Sequence, residues 1–164
     1  MVSNLKVDKI QSVAGTTTAM TIDSSGRVTL PQRVAFQAKK SDTSTLSANS
    51  SSNITFNTTD LAHASWDGTT FTAPVAGKYF FSYTFQYKCT SGYQQVELRK
   101  GVSGSYSSYG RMLVYPPQQS SLYSGPGIIG IMDLAAGNTV KPVAQVNYAG
   151  NQIQNVNFSG YLLG

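Results

Sequence analysis

The 164-residue chain is poor in nearly every residue type that carries chemistry. It has one cysteine, Cys89, and one histidine, His63. A lone cysteine rules out an intrachain disulfide and any cysteine-based metal cluster. One histidine and seven scattered carboxylates leave no constellation suited to nucleophilic or metal-assisted chemistry. Charged residues make up only 12% of the chain, and no apolar run approaches the roughly 18 residues that span a membrane. The opening Met1-Val2-Ser3-Asn4-Leu5-Lys6 lacks the apolar stretch of a secretory signal peptide. There is no dense basic run interleaved with aromatics of the kind that binds nucleic acid. These shortages point away from an enzyme, a membrane-spanning protein and a disulfide scaffold, and no cofactor or metal is expected.

What is present is alternation. From Tyr79 to Cys89 the odd positions are apolar or aromatic, while Ser82, Thr84, Gln86 and Lys88 are polar. A period of two sustained this long predicts a strand with one buried face, which needs a second sheet to cover it. Other strands are expected at Val34 to Ala38, Ile54 to Phe56, Thr70 to Ala73, around Val96 and Leu98, at Met112 to Tyr115 before Pro116-Pro117, and at Ile128 to Leu134, Val140 to Tyr148 and Asn155 to Leu163. Asp67-Gly68 is a tight-turn signal. Cys89, on the apolar face of the aromatic strand, reads as a buried small hydrophobe.

The chain divides at residue 31. Residues 1–31 hold β-like pieces around Leu5, Val7 and Ile10 and around Ala19, Met20 and Ile22; Asp23-Ser24-Ser25-Gly26 turns into Arg27-Val28-Thr29-Leu30. A segment this small needs a partner or copies of itself to be stable. Residues 32–164 can bury a core of their own, since chains near this size bury roughly 68–70% of their unfolded surface.

Phe71, continued by Thr72-Ala73-Pro74 and then Gly77, Tyr79, Phe81 and Tyr83, resembles the central motif of the complement 1q globular head, in the tumour-necrosis-factor-like superfamily. Leu134-Ala135-Ala136-Gly137-Asn138-Thr139-Val140 resembles that family's Gly-Asp turn, with Asn138 in the acidic position, and Phe158 to Leu163 resembles its terminal motif. The resemblance covers residues 33–164. It implies an all-β jelly-roll sandwich that forms a homotrimer. Residues 1–30 resemble a short N-terminal segment of fibre and other structural proteins of tailed bacteriophages. A complement-like head with neither collagen repeat nor signal peptide is then expected in a virion, made in the host cytoplasm, rather than among secreted animal proteins.

Association also follows from the residues. Ile128, Ile129, Ile131, Met132 and Leu134 place apolar groups on both faces of one strand, as do Val156, Phe158 and Leu162 against Tyr161 and Leu163. An antiparallel sandwich normally keeps its outer face polar, so a second subunit is the simplest cover. The alternative is a pair of ordinary central strands with a few exposed apolar groups. The expected interface or core residues are Tyr79, Phe81, Tyr83, Phe85, Ile129, Ile131, Leu134, Phe158, Tyr161 and Leu162.

For binding, Gly101 to Gly125 stands out as a loop region in which Tyr106, Tyr109, Tyr115 and Tyr123 sit among Ser, Gly and Gln, with Arg111 nearby. Tyrosine offers a stiff amphipathic contact while Ser and Gly allow close approach, which suits a host glycan or surface protein. The bland reading is tyrosines packed between subunits. Residues 1–40 carry net charge +4 of the total +5, so Lys6, Lys9 and Arg27 are candidates for attachment to acidic virion partners; a solvated basic face is the alternative. Gly125, Gly127 and Gly130 match G-x-G-x-x-G, but β-branched residues follow where a dinucleotide site needs a helix. His63 reads as a loop residue, Asp60 and Asp67 as unrelated carboxylates, and the Asn-x-Ser/Thr triplets as chance matches. Three readings result: a trimeric tail-fibre, spike or head-fibre/decoration module that adsorbs to the host; a connector without a receptor; and a glycan depolymerase, disfavoured by the missing catalytic groups.

Overall fold

The computed structural model describes residues 7–11, 13, 18–30, 32–61, 65–89, 91–114, 125 and 127–164. The expectations for Lys6, His63, Tyr115 and Tyr123 lie outside the described residues. The chain forms two compact units, Met1–Arg33 and Val34–Gly164.

The first unit is a three-stranded antiparallel sheet in the order β1-β2-β3: β1 Lys9–Gln11, β2 Thr18–Ile22 and β3 Val28–Thr29. The Asp23–Gly26 turn joins the last two, with Gly26 at φ 77°, a conformation glycine adopts without strain. The Asp23 carboxylate accepts from the amides of Ser25 and Arg27, both at 2.9 Å, and pairs with the Arg27 guanidinium at 2.7 Å.

The second unit is a sandwich. Its strands are β4 Ala35–Lys40, β5 Ser44–Thr45, β6 Ser51–Asn53, β7 Thr58–Leu61, β8 Phe71–Thr72, β9 Gly77–Lys88, β10 Gln94–Val102, β11 Ser105–Val114, β12 Gly127–Leu134, β13 Thr139–Val146 and β14 Gln152–Leu162. One sheet runs β12-β9-β14-β4-β7, with β5 on β14; the other runs β11-β10-β13-β6, with β8 on β13. From β9 onward the chain crosses between the sheets repeatedly, and its named strand pairs are antiparallel. This is the expected jelly-roll architecture. It lets each strand's alternate side chains meet those of the facing sheet.

The core is aromatic. Phe158 on β14 lies within 5.0–6.3 Å, ring centre to ring centre, of Phe36, Phe56, Trp66, Phe81 and Tyr83. Trp66 stacks on Phe36 at 4.8 Å. These pairs add specific geometry to a large burial of apolar area. Gly160 sits between the Phe81 and Phe36 rings, where a Cβ would lie 2.6 and 2.8 Å from them.

Two expected strands differ. Ile54 to Phe56 is not a strand; it is the irregular stretch between β6 and β7, although Ile54 and Phe56 are buried. Met112 to Val114 is not separate; it is the end of the single strand β11, which pairs with β10 along its whole length through the Ser103-Gly104 turn. Tight turn chemistry there supplies the hairpin, Ser103 and Gly104 both having positive φ.

Candidate interaction surfaces

The outer face of the β12-β9-β14-β4-β7 sheet is graded along its strands. Ile131, Phe80, Tyr161 and Ala35 form one cross-strand row. Ile129, Ser82, Ser159, Gln37 and Leu61 form the next, and Gly127, Thr84, Asn157, Lys39 and Thr58 the one after. Apolar character is therefore concentrated at the Leu134 end. Phe80 and Tyr161 pack ring to ring at 5.1 Å, while Ile129 is 68% exposed and Ile131 53%. Two β-branched aliphatics so open on a folded sheet form a surface that association would bury.

The ten residues expected at an interface or in the core separate cleanly. Tyr79, Phe81, Tyr83, Phe85, Leu134 and Phe158 are buried between the sheets of a single chain. They are core, and no neighbouring subunit is needed to cover them. Ile129, Ile131 and Tyr161 lie on the outer face; Leu162 packs partly against the core. Phe80 was not singled out, because alternation put it on the polar face of β9; its apolar row exists only through the register with β12 and β14.

The loop expected from Gly101 to Gly125 is, in its first half, the strand β11, and its side chains go to different surfaces. Tyr109 reaches over β12: its hydroxyl donates to the Ile131 carbonyl, and its ring lies against Gly130. Gly130 pairs with the buried Phe81, so Tyr109 covers the inner side of β12 at the edge of the sandwich and is not part of the outer apolar face. Tyr106 and Arg111 lie instead on the outer face of the β11-β10-β13-β6 sheet. The β-bulge between Leu98 and Arg99 puts both on that face despite their odd spacing.

That second face is polar and partly ordered by its own contacts. Glu97, nearly buried, accepts from the Gln95 amide and from Arg99 Nε at 2.7 Å. Arg99 Nη2 donates to Ser51 Oγ at 2.8 Å. Arg111 pairs across the strands with Glu97 and donates to Gln95 Oε1 at 3.5 Å. Next to this network the Lys141 ammonium lies 3.9 Å from the centre of the Tyr106 ring, and Thr139 bonds the Tyr106 hydroxyl, a cation–π arrangement that holds the ring in place. Gly101 leaves room for it: a Cβ there would meet Thr139 and Tyr106. The face carries three cations against one carboxylate. Gln95, Glu97 and Arg99 come from β10, just before the tyrosine-rich stretch that signalled the region, and Thr139 and Lys141 from β13, far from it in sequence; strand pairing unites them.

A cavity of about 170 Å³ lies at the β-bulge of β14, lined by Lys39, Lys40, Ser41, Asn155, Val156 and Asn157. Both cations are committed: Lys39 pairs with Asp60, and Lys40, almost buried, with Asp42 at 2.7 Å. Lys40 holds the Asp42 carboxyl below its ordinary range. Of the expected attachment residues, Lys9 pairs with Thr21 in the first unit's sheet, and Arg27 is ion-paired to Asp23. Asp60 and Asp67 are not a catalytic pair; Asp67 accepts from the Thr69 and Thr70 amides at 2.8 and 2.7 Å. Gly125 and Gly127 lead into strand β12, not into a helix. Among the described residues no group of three or more His, Cys, Asp or Glu side chains comes together, and no helix is long and apolar enough to cross a membrane.

No protein-family model and no curated protein matches the sequence. Solved structures do match the fold. The globular domain of zebrafish complement 1qA superposes with a TM-score of 0.63 at 18% identity, over 79% of this chain and 97% of that one. Murine APRIL at pH 5.0 gives 0.63 at 9% identity, over 80% and 100%. Eiger TNF from S. frugiperda gives 0.64 at 8%, over 80% and 93%. The second unit thus shares the jelly-roll fold of these structures, and at these identities the likeness concerns the fold alone.

Proposed function

We propose that this chain is a virion structural protein whose heads associate in threes and adsorb a bacteriophage particle to its host, as part of a tail fibre, spike or head decoration. The observation that carries the association is the outer-face row of exposed Ile131 with half-buried Phe80 and Tyr161, beside the exposed Ile129. Three is the number that the resemblance to the complement 1q/TNF-like family implies, and a virion setting is implied by the resemblance of residues 1–30 to phage structural proteins. The polar face around Tyr106, Arg111 and Lys141 is the host contact, a glycan or a surface protein. Three such faces on one rigid body act multivalently: weak sites gain by simultaneous contact when geometry permits. The chain is read as non-enzymatic.

Light scattering on the purified protein tests the association, with three chains giving about 53 kDa. A stable single chain would end this reading. Adsorption of labelled protein to host cells, with Tyr106→Ala and Arg111→Ala as variants, tests the host contact. Unchanged adsorption in both, with mass intact, would favour the second reading, a connector between virion parts with no receptor.

A further inference from the structure

The first unit has an apolar face. Ile10 pairs with Met20, Ile22 follows two residues later on β2, and Val28 pairs with Ile22. Strand alternation puts these four on one face. Lys9, Thr21 and Thr29 form a cross-strand row on the other. Among the described residues of this unit none is buried; Ile10 is 45% exposed, Val28 55%, and Leu30, just beyond β3, 51%. An apolar face left open on so small a sheet is a surface that association would bury.

We propose that the face is covered by the same face of two other copies, so that three of these sheets close into a triangular β-prism around a common axis. This rests on the head association proposed above, which joins three copies in one assembly and so raises their effective concentration for one another. The four facing side chains carry no charge, and the Arg27 cation is already paired at the turn, so convergence buries no unpaired ion. The dimensions also close. Three strands at roughly 4.8 Å spacing make a ribbon about 14 Å wide; a prism of such ribbons sets each sheet about 4 Å from the axis, close to half the roughly 10 Å at which sheets pack face to face. The Lys9-Thr21-Thr29 row then points outward, free to meet another virion protein.

Single cysteines in the full chain test this, with Cys89→Ser as background. Met20→Cys places a thiol on the apolar face and Thr21→Cys one on the polar face. Under mild oxidation Met20→Cys is expected to link about two chains of every three into covalent pairs, one chain of each threefold set being left over, while Thr21→Cys stays unlinked. In unsubstituted protein the β2 amides are expected to exchange slowly. A protein of three-chain mass with no preference for Met20→Cys overturns the prism and leaves the head association standing. Slow β2 exchange in that case assigns the face to another segment of this chain, and fast exchange assigns it to an outside partner. A single-chain mass overturns both proposals.

Discussion

Gly160 and Phe158 lie two residues apart on β14 and serve the same core from opposite extremes of size. A methyl at position 160 would overlap the Phe81 and Phe36 rings, so Gly160→Ala is expected to cost about 1–3 kcal/mol through overpacking. Phe158→Ala would empty the centre of five rings and cost about 3–5 kcal/mol. Denaturant midpoints of the two variants check both, and an unchanged midpoint in either would contradict the packing described. Cys89 offers a chemical check. Burial pushes its thiol up, only partly offset by hydrogen bonds from the Ser91 backbone and the Asn151 side-chain amide. It should therefore react with a thiol reagent at mildly alkaline pH much more slowly in native protein than in denaturant.

Turns and strands show where local chemistry sets geometry. Burial pushes the Asp67 carboxyl up, but the Thr69 and Thr70 amides and the Thr69 hydroxyl outweigh it, and the group lies below its ordinary range. A carboxylate lowered in the folded state stabilises above its unfolded pKa and loses that contribution as pH falls through the lowered value. Asp67→Asn should accordingly flatten the acid limb of the stability curve below about pH 4, measured by thermal melts from pH 2 to 7. On β11, neighbouring tyrosines separate in effect. Tyr109→Ala is expected to lower the denaturant midpoint by removing the contact between β11 and β12, without touching the polar face. Tyr106→Ala should leave the mass unchanged and reduce adsorption. An unchanged midpoint for Tyr109→Ala, or a lost three-chain mass for Tyr106→Ala, would contradict these placements.

At the scale of the molecule, the outer-face patch governs the assembly. Ile129→Asp with Ile131→Asp puts two carboxylates where a neighbour would pack, at positions too exposed to harm the fold. The double variant should run as a folded single chain, and its apparent affinity for host cells should fall by about 100-fold or more as avidity is lost. A variant that keeps its three-chain mass would place the interface elsewhere.

The aromatic alternation of β9, the Asp23–Gly26 and Asp67-Gly68 turns and the two-faced pattern of β12 were legible in the chain because each depends on neighbours within a few residues. Period and turn chemistry are local properties, and they carried the all-β sandwich and most of its strands. They did not carry the second half of each contact. Whether Phe81 meets a subunit or its own opposite sheet depends on which sheet faces it, and it proved to be core. Whether Tyr106 and Tyr109 cooperate depends on a bulge and on the separate neighbours of β11, so a stretch that read as one binding loop became two surfaces. Glu97 and Arg99 join Tyr106 across the β10-β11 hairpin, whereas Lys141 joins it through β13, far along the chain. Register across a sheet is set by the packing of the whole sandwich, and no window of sequence contains it.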